Sequence, residues 1–328
     1  AGYAVLLQDV RGRYDSDGVW RPYVDEAADG YDTQQWIGQQ PWCDGNIGTF
    51  GISYNGFTST LPAPLASPYL KAAMPLTSQE DNYGHIRNQG VLELWNAINF
   101  VGMGRRTMAA NLWRTVDIQT VWKRLPLISA LDDMANRPTY RTFIEHEAFD
   151  EYWKSYSLKG KYPQIQIPAY IVTGWYDNLL HEGFKLFRGW KQQAGNAQAR
   201  ALSRILVGPW THYYLGGGVE YGAEISFNPH DVIDMPAEHL RWFDQRLRGI
   251  DTGIDREPPL KLYVMGANIW RQAYEWPLPQ TRYIHLYLHS GGRANSLHGD
   301  GRLDPGLPKD ERADGFAYDP ADPVPSWG

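Results

Sequence analysis

Three residues of this chain share a setting in which side chains do chemistry: each follows an apolar, strand-like run and sits beside glycine. Ser53 lies in Gly51-Ile52-Ser53-Tyr54-Asn55-Gly56, after the short run 47–50 and before a helix-like stretch. Asp177 closes Gly174-Trp175-Tyr176-Asp177 after the run 169–173, and His212 closes Gly208-Pro209-Trp210-Thr211-His212 after Ile205-Leu206-Val207. A serine becomes a nucleophile when its hydroxyl projects from a sharp turn, an imidazole takes its proton and a carboxylate orients the imidazole. Small residues must flank such a turn so that strand and helix can approach, and Gly51 and Gly56 fit that need. The N–H of the next residue, Tyr54, is then aimed at the oxyanion that develops on the substrate.

Each residue also has a structural reading. Serine in a Gly-rich loop caps helices, aspartate after a strand caps the helix that follows, and an isolated histidine is usually a hydrogen-bonded surface residue. The combination favours catalysis. All three positions fall at the carboxyl ends of strands, where open α/β sheets keep their sites. Their order along the chain, Ser then Asp then His, is that of α/β-hydrolase triads and of neither other widespread triad family. Competing motifs are incomplete. His181-Glu182 and His146-Glu147 lack the second histidine of a zinc-protease helix, and Gly102-Met103-Gly104 lacks both the preceding strand and the final glycine of a dinucleotide loop. No metal and no cofactor are assigned.

The elements that must position these residues alternate between the two periods. Helix-like spacing runs from Glu26 to Gln39, 56–66 reads as a second helix, and 71–76, 168–173 and 205–207 read as buried strands. Such alternation predicts an α/β protein with a mostly parallel sheet. Residues 1–80 and 162–254 form the two parts of this core, the latter closing on the amphipathic stretch 237–247 and Gly249. Between them, 81–161 carries Trp95, Trp113, Trp122 and Trp153 at helical spacing and reads as an inserted helical cap. From 255 onward, strands at 260–265 and 281–288 read as the opening of an all-β domain.

Composition narrows the partners. A net charge of -6, with basic and acidic residues interspersed, excludes a phosphate-binding face and hence nucleic acid. No apolar run approaches the roughly 20 residues that cross a bilayer, so no membrane partner is expected. The single cysteine, Cys43, allows no intrachain disulfide and is expected to be a buried structural thiol. The expected partner is a small-molecule ester or amide, and the sequence leaves oligomeric state and compartment open. Residues 1–7 read as a buried parallel strand without an initiating Met. The expectation is therefore a piece of a longer enzyme, with its N-terminal strands absent and its C-terminal domain cut short.

These blocks resemble the X-Pro dipeptidyl-peptidase (S15) superfamily, and within it the CocE/NonD-type branch of cocaine esterase, α-amino acid ester hydrolase and glutaryl acylase relatives. The likeness is carried by Gln8-Asp9-Val10-Arg11-Gly12 with Ser16-Asp17-Gly18, Pro41-Trp42-Cys43-Asp44-Gly45-Asn46, the Ser53, Asp177 and His212 motifs, and Tyr318-Asp319-Pro320 with Pro323-Val324-Pro325. It implies an α/β-hydrolase fold with an inserted helical cap and the start of a C-terminal β jelly roll. It further implies that Ser53 is acylated, that His212 serves as base and then acid, that Asp177 orients His212, and that the Tyr54 N–H is one oxyanion donor. The family's second donor is a tyrosine that would precede Ala1. Asn178-Leu179-Leu180 occupy the stretch where α-amino acid ester hydrolases carry two adjacent acids for the substrate ammonium, and Asp81 matches only the remaining member of that cluster. Asp81, Trp175 and Trp210 are the candidate substrate-binding residues. The expected function is cleavage of esters or amides through an acyl-serine. The alternatives are a dipeptidyl-peptidase acting after proline and, in another class, a carbohydrate- or protein-binding module using Trp270 and Trp276.

Overall fold

The computed structural model describes residues 2–102, 117–132, 137–212, 215–216 and 230–322. Trp113, Met103, Gly104 and the Pro323-Val324-Pro325 block lie outside the described residues. The chain separates into two units, divided between Tyr274 and Glu275.

The first unit is built on a six-stranded sheet whose strands lie side by side in chain order: β1 (Ile47–Ile52), β2 (Leu70–Leu76), β3 (Tyr170–Tyr176), β4 (Arg204–Thr211), β5 (Leu260–Val264) and β6 (Ile269–Ala273). The first five are parallel, and β6 returns antiparallel to β5. Strands β2, β3 and β4 are nearly continuous apolar runs because both of their faces are covered. Helix α1 (Glu26–Gly38) precedes β1, and α2 (Tyr54–Thr60), α3 (Leu180–Gln193) and α4 (Met235–Leu247) lie between strands in the chain.

Alternation along the strands sorts the two faces. Ala72, Met74 and Leu76 of β2, Tyr170 and Val172 of β3, and Leu206 and Trp210 of β4 form one core with Met235, Trp242 and Phe243 of α4. Thr173 points the other way, against α3, where a Cβ on Gly183 would lie 3.1 Å from its methyl carbon.

The segment between β2 and β3 contains helices 82–86, 94–102, 118–122, 137–145 and 151–155, and one two-residue-per-strand hairpin at 87–92. Trp153, Phe143, Tyr140, Ile86 and Ile98 are buried within it.

Three expectations need correction. Residues 2–10 carry no strand pairing, and Val5 and Leu7 are 67% and 90% exposed, so this segment is not a buried strand. The strand expected at 260–265 is present as 260–264 and pairs in parallel with β4, where Leu260 and Leu262 are buried. Its short run, read without its partners, does not reveal which sheet it joins. In the second unit the strand expected over 281–288 shrinks to Tyr287–His289, paired with Arg302–Asp304. A lone two-stranded hairpin buries little, and Tyr283, Ile284 and Leu288 stay exposed. Cys43 is half-buried, in a turn where its sulfur accepts the Gly45 N–H at 3.4 Å.

Strands β3 and β4 come unusually close at their carboxyl ends. A Cβ on Gly174 would lie 2.1 Å from the Trp210 carbonyl oxygen, and the register shifts between Gly174 and Tyr176. Gly174→Ala must therefore push the strand ends apart. It is expected to cost at least about 1–3 kcal/mol, as overpacking does, and to lower the melting temperature. An unchanged thermal transition would show that the strands separate without penalty.

Candidate active site

Ser53 stands on the turn between β1 and α2 with φ 60° and ψ -121°, a conformation few side-chain-bearing residues adopt. Its neighbours explain how the turn forms. A Cβ on Gly51 would lie 2.5 Å from the Asn55 backbone, and one on Gly56 would lie 2.7 Å from the Leu76 carbonyl oxygen. Glycine at both positions lets the helix start directly above the strand. The Ser53 N–H donates to the Leu76 carbonyl at 3.0 Å, and the Ser53 carbonyl accepts from Phe57 N–H at 3.0 Å. Tyr54 opens α2, so its N–H belongs to the first turn, where the helix itself offers no acceptor.

Asp177 follows β3 and His212 follows β4. The sheet brings both to Ser53: His212 Nε2 lies 2.8 Å from Ser53 Oγ, and His212 Nδ1 lies 2.9 Å from Asp177 Oδ1. The Asp177 carboxylate is fully enclosed and accepts two further hydrogen bonds, from Leu179 N–H at 2.9 Å and from the Thr173 hydroxyl at 3.1 Å. An ionised acid accepts only, so the shared proton belongs on His212 Nδ1 and leaves Nε2 to accept from Ser53. The arrangement can deprotonate Ser53 as its oxygen attacks and then hold the resulting imidazolium beside a carboxylate.

The other candidate residues are placed differently. Trp210 is only 2% exposed; its ring folds back over Gly208 into the core, and its indole N–H donates to the Asp231 carbonyl at 3.2 Å. It is a core residue, as its alternation with Leu206 requires. Trp175 donates its indole N–H to the Tyr263 carbonyl of β5 at 2.7 Å and packs against Phe184. Asp81 is 5% exposed and caps the helix 82–86, accepting Gly84 N–H at 2.7 Å. Its carboxyl is pushed up by burial and by the nearby Glu182. Trp270 packs between Trp210 and Tyr263, with centroids 5.8 and 5.2 Å away, instead of offering an open binding face.

Two groups near Asp177 are not among the candidate site residues read from the sequence. Glu182 of α3 is fully buried and receives the N–H groups of Glu80 at 3.0 Å and Asp81 at 3.5 Å, with Lys185 at 2.5 Å and His181 at 3.2 Å. Burial alone would raise its carboxyl, but His181 and Lys185 hold it below the usual carboxylate range. Its position four residues before Leu186, on the apolar stripe of α3, was the available signal. The second group is polar. Asn178 reaches His85 Nε2 and Asn96 Oδ1, both at 3.3 Å, and so joins the loop after β3 to the segment between β2 and β3. Among the described residues no three His, Cys, Asp or Glu side chains lie close enough to hold a metal ion. No helix among them is long and apolar enough to cross a membrane.

A mostly parallel sheet covered by helices on both faces, with serine on a strained strand-to-helix turn and aspartate and histidine after two later strands, is the α/β-hydrolase architecture. The chain belongs to the X-Pro dipeptidyl-peptidase (S15) family: that family's profile matches residues 1–214, and the profile of the X-Pro dipeptidyl-peptidase C-terminal non-catalytic domain matches 252–325. It is 34% identical over 351 residues to a cocaine esterase from a Rhodococcus strain, an alignment covering 100% of this chain and 59% of that protein. Among solved structures, it resembles an aminopeptidase from a marine-sediment Thaumarchaeota archaeon, with TM-score 0.72 and 22% identity over 97% of this chain and 54% of that one. A CocE/NonD family hydrolase from Staphylococcus aureus matches with TM-score 0.58 and 23% identity, over 85% of this chain and 44% of its own. The chain thus spans less than two thirds of these relatives.

His85 gives the site a pH signature. Burial, aided by the facing His212, pushes its imidazole from 6.5 down to about 4, although Asn96, Glu182 and Asp177 act in the opposite direction. Between those values the unfolded chain binds a proton that the folded chain refuses, so stability is lost as pH falls through this window. His85→Gln is expected to remove on the order of 1–3 kcal/mol of that acid-side loss. Urea unfolding of both proteins at pH 7 and pH 4.5 measures it, and an identical pH dependence would refute the assignment.

Proposed function

We propose that this protein is a serine hydrolase that cleaves small-molecule esters or amides through an acyl-serine formed on Ser53. The observation that carries the reading is the single imidazole of His212, within hydrogen-bond distance of both Ser53 Oγ and Asp177 Oδ1. In the first step the Ser53 proton passes to His212 Nε2 as Oγ bonds to the substrate carbonyl carbon, and the oxyanion faces the Tyr54 N–H. Collapse breaks the bond to the alcohol or amine, which leaves with the proton from His212. Water, deprotonated by the same imidazole, then hydrolyses the acyl-serine and restores the enzyme.

The identity to cocaine esterase supports an ester substrate. So does the wall beside Asp177. Asn178 presents a neutral amide, Leu179 is buried, and Asp81 is occupied as a helix cap. A peptidase selecting a free N-terminus needs a charged group to meet the ammonium, and these residues do not provide one. Because Asn178 contacts His85 and Asn96, the segment 81–161 reads as a cap that closes one side of the pocket, between core parts 1–80 and 162–254.

In the full-length protein, Ser53→Ala and His212→Ala are each expected to lower kcat by about 10⁴-fold or more, since nucleophile and base act as a unit. A fluorophosphonate should label Ser53 alone; turnover of Ser53→Ala within tenfold of wild type would overturn the reading. The neutral wall yields a second expectation: removing the α-amino group from a phenylglycine ester changes kcat/KM by less than about tenfold. A thousandfold preference for the amino ester would place a missed acid in the pocket.

A further inference from the structure

We infer that Glu26 is a positioning residue for the oxyanion site, acting through the Tyr54 side chain on the Tyr54 N–H. The inference rests on the proposed role of Ser53 as nucleophile and concerns how the adjacent peptide is held. The Tyr54 hydroxyl donates to Glu26 Oε1, the first residue of α1, and accepts the Trp20 indole N–H at 3.1 Å. The Tyr54 ring is stacked on Tyr23 at 4.6 Å and 24°, and Tyr23 in turn meets Phe57 of the same helix edge-on at 4.8 Å. Tyr54 is thus gripped at ring and hydroxyl by one stretch, 20–26, that lies outside its own turn.

The grip is built rather than incidental. Glu26 is 6% exposed and Tyr23 2%, so a carboxylate and a phenol have been buried directly behind the nucleophile turn. Tyr23 also takes φ 68°, a left-handed conformation costly for an aromatic residue. Burial pushes the Tyr54 phenol well above its ordinary range, so it remains a donor, and it raises the Glu26 carboxyl, which the Tyr54 hydrogen bond partly counteracts. The consequence falls on one rotation. The direction of the Tyr54 N–H is set by ψ of Ser53 and φ of Tyr54, and a side chain anchored at its far end leaves that peptide plane little freedom. An oxyanion donor works because it is already aimed and needs no reorganisation when charge develops.

The test measures kcat, KM, melting temperature and inhibition by an arylboronic acid for Tyr54→Phe, Glu26→Ala and Glu26→Gln in the full-length protein with a p-nitrophenyl ester. The boronate forms a tetrahedral adduct on serine with an oxygen in the oxyanion position, so its affinity reports aim independently of turnover. Losing an oxyanion donor costs about 10² to 10³ in kcat, and misaiming one should cost part of that. Tyr54→Phe and Glu26→Ala are expected to lower kcat about 10- to 100-fold, with KM within about threefold and boronate affinity falling in parallel. Glu26→Gln, which keeps an oxygen acceptor for the Tyr54 hydroxyl, is expected to recover most of the loss. Should Glu26→Ala fail to fold, Tyr54→Phe decides alone, because it deletes a single oxygen. Folded Tyr54→Phe with kcat and boronate affinity near wild type, while fluorophosphonate still labels Ser53, would overturn this inference and leave the hydrolase reading intact. Absence of labelling at Ser53 in the wild type would overturn both.

Discussion

The site depends on one imidazole, carried after β4, meeting side chains that come from two other strands. Neighbouring strands lie about 4.8 Å apart, and Ser53 follows β1 while Asp177 and His212 follow β3 and β4, so β2 stands between Ser53 and its two hydrogen-bond partners. Strand β2 closes this distance through its last residue, whose carbonyl accepts the Ser53 N–H and faces Gly56. On the other side, Gly174 lets β3 approach the Trp210 carbonyl of β4, which carries His212 just two residues further on. Glycines at 51, 56 and 174 thus serve distance as much as backbone freedom. Bulk at any of them separates groups that must remain in contact.

Charge is handled in the same region by donors more than by counter-ions. Asp177 is enclosed yet receives an imidazole N–H, a hydroxyl and a backbone N–H. Asp81 is met by the backbone of its own helix, and Glu26 by a phenol. Glu182 is the exception, with Lys185 and His181 beside it, and it is also the acid that holds the 80–81 backbone at the end of β2. A buried carboxylate without such partners would be driven to its neutral form. The acids behind the site therefore fix loops, and the cost of burying them is offset by hydrogen bonds that also specify where the loops go.

The parts of this architecture that were legible in sequence are those expressed as local periodicity. Buried strands at β2, β3 and β4 announced themselves as apolar runs, and the ends of those runs located Asp177 and His212 because an open sheet exposes its carboxyl edge. What was not legible depended on a partner elsewhere in the chain. Trp210 is a candidate substrate-binding residue by sequence, but strand alternation puts it on the face of Leu206 and hence in the core. Asp81 matches one member of an acidic cluster in sequence, and only the fold shows it capping the helix 82–86. The run at 260–264 suits any sheet, and only its pairing with β4 assigns it to this one. Residues 3–7 show the converse: an apolar run need not form a strand.

The strain at Ser53 follows from these constraints. A non-glycine residue at φ 60° and ψ -121° carries about 1–3 kcal/mol of unfavourable backbone energy, and glycine would relieve it but supply no hydroxyl. The turn must hold a side chain out toward His212 while its backbone bonds inward to Leu76 and Phe57. With both backbone groups of Ser53 committed and Tyr54 held by Glu26, Trp20 and Tyr23, no single contact has to absorb the strain, and the surrounding packing over-determines the turn. The Ser53 hydroxyl is then presented in one orientation, and the neighbouring N–H is presented with it. This explains why buried polar groups cluster behind an otherwise apolar turn: an apolar filling would support the helix but could not fix the direction of a peptide plane.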